Sequence, residues 1–176
     1  MKLCKTILFS LLVPAAALAQ HSHYSGQEVR DIKALSPEEV KQYLAGAGMG
    51  HAKPAELNSF PGPMHVLELG ERLGLSAAQR EATRKLMDEH KAEARAIGAK
   101  LIEAERRLEA LFRSGSVEKA KLAEAVRSAG ALQAEYRLSH LETHRRMRAM
   151  LTPGQIARYD QARGYSAGAT HSPRKH

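Results

Sequence analysis

The 176-residue chain carries 27 Lys and Arg against 19 Asp and Glu, a formal net charge of +8. Acids and bases interleave, as in Glu103-Ala104-Glu105-Arg106-Arg107, which is the pattern of a solvated helix surface and argues against a nucleic-acid partner. The only cysteine is Cys4, so past the first residues a disulfide framework, a thiolate zinc site and a cysteine nucleophile are all excluded.

Lys2 and Lys5 precede an apolar run from Ile7 to Leu18, and Ala17-Leu18-Ala19 supplies an A-x-A cleavage site. Residues 1–19 therefore read as a cleavable signal peptide, with export to the periplasm and a mature start at Gln20. Its loss leaves about +6 of the net charge. Residues 20–62 read as a flexible region with one short helix, Pro37 to Leu44, capped by Ser36 and ended by Gly46, Gly48 and Gly50. A loop follows from Gly50 to Pro63, broken by Pro54, Pro61 and Pro63. Val66, Leu67, Leu69 and Leu73 then predict a second short helix over 64–73, closed by Gly74.

Ser76 opens a long helix to about Phe112. Thr83, Met87, His90, Ala94, Ile97, Leu101, Ala104, Leu108 and Leu111 recur along it at steps of three and four. Ser114-Gly115-Ser116 is the turn, with Ser116 as the expected next cap. A second long helix runs from about Val117 to Met150, and Thr152 starts a last one to about Arg163. Residues 166–176 read as a disordered basic tail. Folding the hairpin about Gly115 makes residues whose numbers sum to about 230 face each other. This sets His90 opposite His140, with Glu89 and Glu93 close by, and brings Gly98 near Gly130. Two glycines at one level are either a close helix approach or merely tolerated. Leu86, Ile102, Phe112, Leu138 and Leu141 exceed what one hairpin can bury, so terminal helices or a second subunit must cover them.

Two segments share a motif: Leu75-Ser76-Ala77-Ala78-Gln79 and Leu151-Thr152-Pro153-Gly154-Gln155 are both Leu-(Ser/Thr)-x-x-Gln. The hydroxyl of Ser76 or Thr152 can accept from the amide three residues on, and Gln79 or Gln155 can reach back to the cap amide.

These paired motifs, the all-helical middle and the export signal resemble the Spy/CpxP family of periplasmic stress proteins, which includes the zinc-responsive ZraP and the metal sensor CnrX. The run His140-Leu141-Glu142-Thr143-His144, followed by the second motif and Tyr159-Asp160, resembles its periplasmic heavy-metal sensor subgroup. The resemblance covers about residues 63–165. It implies an all-α fold, a long hooked antiparallel hairpin with short flanking helices, pairing as a cradle-shaped homodimer. It also implies ATP-independent chaperone activity, metal-responsive signalling, or both. CnrX implies a metal site joining the two long helices. That protein uses a His with Met four residues later, whereas here position 144 is His.

No nucleophile–base arrangement, phosphate loop or H-E-x-x-H motif is present, so no enzyme is expected. His140 and His144 lie four apart on one helix face, and with His90 and a carboxylate they are candidate ligands for Ni, Cu, Co or Zn. The alternative is a set of seam histidines hydrogen-bonded to neighbouring Glu and Arg. Gln20-His21-Ser22-His23 is a second candidate, against a plain polar tail. Met49, His51, Met64 and His65, around the Gly/Pro loop, could serve as soft ligands but read as packing and loop residues. Arg106, Arg107, Arg145, Arg146 and Arg148 are candidates for a client-binding cradle, against a solvated face. The leading expectation is a chaperone-like envelope-stress protein that requires no cofactor and holds unfolded or misfolded envelope proteins. The alternative is a heavy-metal sensor or resistance protein signalling to a membrane-bound sensor kinase or anti-sigma factor.

Overall fold

Three capping boxes start helices where the sequence places them. Ser36, Ser76 and Thr152 each accept from the amide three residues on, and Glu39, Gln79 and Gln155 return the bond to the cap amide. The computed structural model describes residues 24–165. The expected signal peptide, the Gln20–His23 candidate and the basic tail lie outside the described residues. The helices are α1 (Pro37–Ala45), α2 (Lys53–Glu56), α3 (Pro63–Glu68), α4 (Gly70–Leu73), α5 (Ala77–Arg113), α6 (Lys119–Ala149) and α7 (Pro153–Arg163). Among the described residues there are no strands, as the all-α expectation requires.

The hairpin of α5 and α6 forms the body, and α5 alone is about 55 Å long at ~1.5 Å per residue. Details depart from the sequence reading at three places. The Gly/Pro loop contains the single turn α2. The helix expected over 64–73 breaks at Leu69 into α3 and α4. Glu118, not Ser116, is the N-cap of α6, and it makes no side-chain cap bond. Ser116 instead gives its amide to the Ser114 hydroxyl within the turn.

The core is two apolar blocks. Ile32, Tyr43, Leu101, Ile102 and Tyr136 join α1, α5 and α6 in the distal block. Val66, Leu73, Leu86, Met147 and Tyr159 join α3, α4, α7 and the hairpin root in the other. Leu86 and Ile102 thus find their cover inside the chain, whereas Phe112, Val126 and Leu138 stay exposed. The close approach expected between Gly98 and Gly130 is not formed. A Cβ at Gly98 would collide with the Tyr43 carbonyl, because α1 ends on α5 there, while Gly130 has open space around it.

The two repeated motifs touch. Gln79 Nε2 donates to Gln155 Oε1 and Gln155 Nε2 donates to Gln79 Oε1, both at 2.9 Å. Gln79 also donates to the Met150 carbonyl, and Gln155 to that of Gly74. Each amide caps its own helix with its oxygen. The capping boxes therefore clasp the start of α5 to the start of α7.

Candidate functional site

Between the two apolar blocks the hairpin seam is polar. On α5, His90 falls after Leu86 and before Ala94; on α6, His140 and His144 fall between Tyr136 and Met147. The expected register holds here: His90 Nε2 lies 3.0 Å from His140 Nδ1. The outer nitrogens, His90 Nδ1 and His140 Nε2, are buried without a hydrogen-bond partner. A neutral imidazole has one N–H and one lone pair. Whichever ring donates in the pair, one outer nitrogen is a buried, unused lone pair and the other an unused N–H. Leaving such groups unmatched costs about 1–3 kcal/mol each.

The rings are held neutral. Burial, then the neighbouring His90, His51 and His144, push the His140 imidazole down to about 3. Burial, then His144, lowers His90; burial, then Arg137, lowers His51. His51 stacks on His140 with ring centroids 6.1 Å apart, and Tyr136 packs beside both. A neutral imidazole is the form that coordinates a metal.

His144 donates its Nδ1–H to the Phe60 carbonyl at 2.7 Å. The backbone anchor fixes the ring, as such anchors do for ligating histidines, and turns Nε2 away from the carbonyl. A Cβ at Gly62 would press to 3.0 Å from the His144 Cε1 and Nε2, so the glycine leaves room for the ring. Glu56 brings the carboxylate. Its Oε1 accepts from the Tyr159 hydroxyl at 2.6 Å and pairs with Arg163, while Oε2 is buried, unbonded and 3.8 Å from His144 Nδ1. His90, His140, His144 and Glu56 line one cavity of about 520 Å³ between the hairpin and the 45–65 segment.

These donors suit a transition-metal ion in kind: neutral imidazoles, one carboxylate and buried nitrogens with nothing to bond. They line walls rather than meet at a point. Among the described residues, no three His, Cys, Asp or Glu side chains converge closely enough to hold an ion as they stand. Binding would require the His90–His140 bond to open.

The three candidate histidines are thus brought together, but the expected carboxylates are not. Glu89 faces outward to Arg146 at 2.9 Å and Glu93 is exposed. Glu56 is absent from the sequence candidates and His51 reads there as a packing residue; both come from the Gly/Pro segment, whose approach to α6 is a long-range contact with no local periodic signal. The five candidate arginines do not gather. Arg106 pairs with Asp31 and Arg107 is exposed near the hairpin tip. About 30 Å away, at ~1.5 Å per residue, Arg145 forks onto Glu142 and Arg146 pairs with Glu89. Arg148 donates to the Ser59 carbonyl and lies over the Phe60 ring.

The described residues thus form a helical hairpin with flanking helices and an imidazole-lined cavity at its seam. The chain belongs to the heavy-metal resistance family, which matches residues 40–158, within the Spy/CpxP-like helical superfamily. No curated protein and no solved structure gives a significant match. The family favours the metal alternative over the chaperone expectation.

Proposed function

We propose that the protein binds a heavy-metal ion in the seam cavity, in an exported form acting in the periplasm, and serves metal resistance or sensing. The observation that carries this is the His90–His140 pair, whose outer nitrogens are buried, neutral and unbonded. His140, His90 and His144 are the imidazole ligands of this reading, with His51 and Glu56 beside them. A bound ion would supply positive charge where one buried imidazole lone pair and Glu56 Oε2 now lack a partner. The paired Leu-(Ser/Thr)-x-x-Gln boxes support placing the chain near the motif-bearing subgroup of the superfamily. A homodimer over the exposed Val126 and Leu138, and a membrane-bound regulator as recipient of the signal, belong to the same proposal.

Calorimetry with Ni(II), Co(II), Cu(II) and Zn(II) on the protein starting at Gln20 tests it. At least one ion binds the wild type, and His140→Ala/His144→Ala weakens it by more than about 10- to 100-fold, the range for losing only a partner that orients a ligand. Equal binding by the double variant refutes the site.

A further inference from the structure

The same cavity holds a second set of donors. Met49, Met64 and Met87 line it beside the histidines. The chain has six methionines, so half of them reach one cavity, from the loop after α1, from α3 and from α5. Packing accounts poorly for one of these. Met64 is 52% exposed, where an apolar side chain gains little. Met49 has φ 45°, in the left-handed region that costs a residue with a Cβ about 1–2 kcal/mol. Its neighbours Gly48 and Gly50 would adopt that conformation freely. Met49 is partly buried against the distal block, and its backbone keeps a conformation that glycine favours, a cost that tends to persist at ligand sites.

The charge around the cavity points the same way. Lys53 and Lys91 line it together with the single carboxylate Glu56. Burying a cation costs less when its charge is smaller, and one carboxylate beside two lysines offers little negative charge to offset a divalent ion. Thioethers are neutral, soft ligands that favour Cu(I).

We propose that the cavity is selective for a soft monovalent cation, Cu(I) or Ag(I), held by Met49, Met64 and Met87 with the His90 imidazole. This rests on the metal-binding reading above and names the class of ion. Ag(I) is the redox-inert probe, titrated by calorimetry; Cu(I) is added anaerobically with ascorbate against a chromophoric chelator. The variant is Met49→Leu/Met64→Leu/Met87→Leu, which keeps apolar volume; should it not fold, Met64→Leu at the exposed position carries the test. Ag(I) and Cu(I) affinity is expected to fall about tenfold or more, roughly one lost ligand's worth, with Zn(II) affinity unchanged. In methyl-labelled protein, the Met49, Met64 and Met87 methyl resonances shift on adding Ag(I), and those of Met147 and Met150 do not. Unchanged Ag(I) affinity in the variant, or shifts absent from the three methyls, overturns the proposal. Ni(II) or Zn(II) binding that needs His140 and His144, with no Ag(I) binding, overturns the soft-ion assignment alone; no binding of any ion overturns both.

Discussion

Replacing Gln155 by alanine removes the four hydrogen bonds that its buried amide makes to Gln79 and to the backbone. Gln155 donates to Gln79 Oε1 and the Gly74 carbonyl, and accepts from Gln79 Nε2 and the Thr152 amide, at 2.9–3.3 Å. At about 1 kcal/mol net for each bond, the loss is about 3–4 kcal/mol, a large part of a typical stability of about 5–15 kcal/mol. Gln79→Ala breaks the same two reciprocal bonds and also frees the Met150 carbonyl and the Ser76 amide. Because those two bonds are shared, the double variant should lose about 1–2 kcal/mol less than the sum of the singles. Urea unfolding followed by circular dichroism measures all four proteins. Losses under about 0.5 kcal/mol in each single variant, adding without interaction, would mean that the boxes only cap their own helices.

The two hairpin glycines should respond with opposite signs. Gly98→Ala drives a Cβ into the Tyr43 carbonyl and should cost about 1–3 kcal/mol, whereas Gly130→Ala, in open space on α6, should gain up to about 1 kcal/mol; thermal melts of the pair decide it. Acid should destabilise the protein through its seam. His140 is pushed down to about 3, and His90 and His51 are lowered too. The unfolded chain therefore binds more protons than the folded one below the ordinary histidine pKa of about 6.5, and stability falls as pH drops from there toward 3. His140→Gln should flatten that slope in urea titrations taken at successive pH values; an unaltered slope counts against a buried neutral ring.

What was legible in the sequence was what is local. Ser36, Ser76 and Thr152 announce helix starts because a cap and its returning side chain lie within four residues. The hairpin register followed from one turn at Gly115, and it set His90 against His140 correctly. Glu56 and His51 were illegible as site residues because they reach the seam from a segment whose path depends on packing against α6. The same holds for Gly98, whose partner is the end of α1 rather than the facing helix. Glu89 misled because a helical neighbour of His90 points about 100° away around the axis, toward Arg146.

The layer of imidazoles also divides the hairpin mechanically. Apolar contacts knit each block to itself, but across the layer α5 and α6 meet through rings whose outer nitrogens have nothing to bond. Such a layer acts as a joint: the tip, with α1 folded onto it, and the root, clasped by Gln79 and Gln155, can open as separate cooperative units. A ligand drawing on both long helices at that level would weld the joint. The backbone amides on either side would then exchange with solvent as a single unit rather than as two.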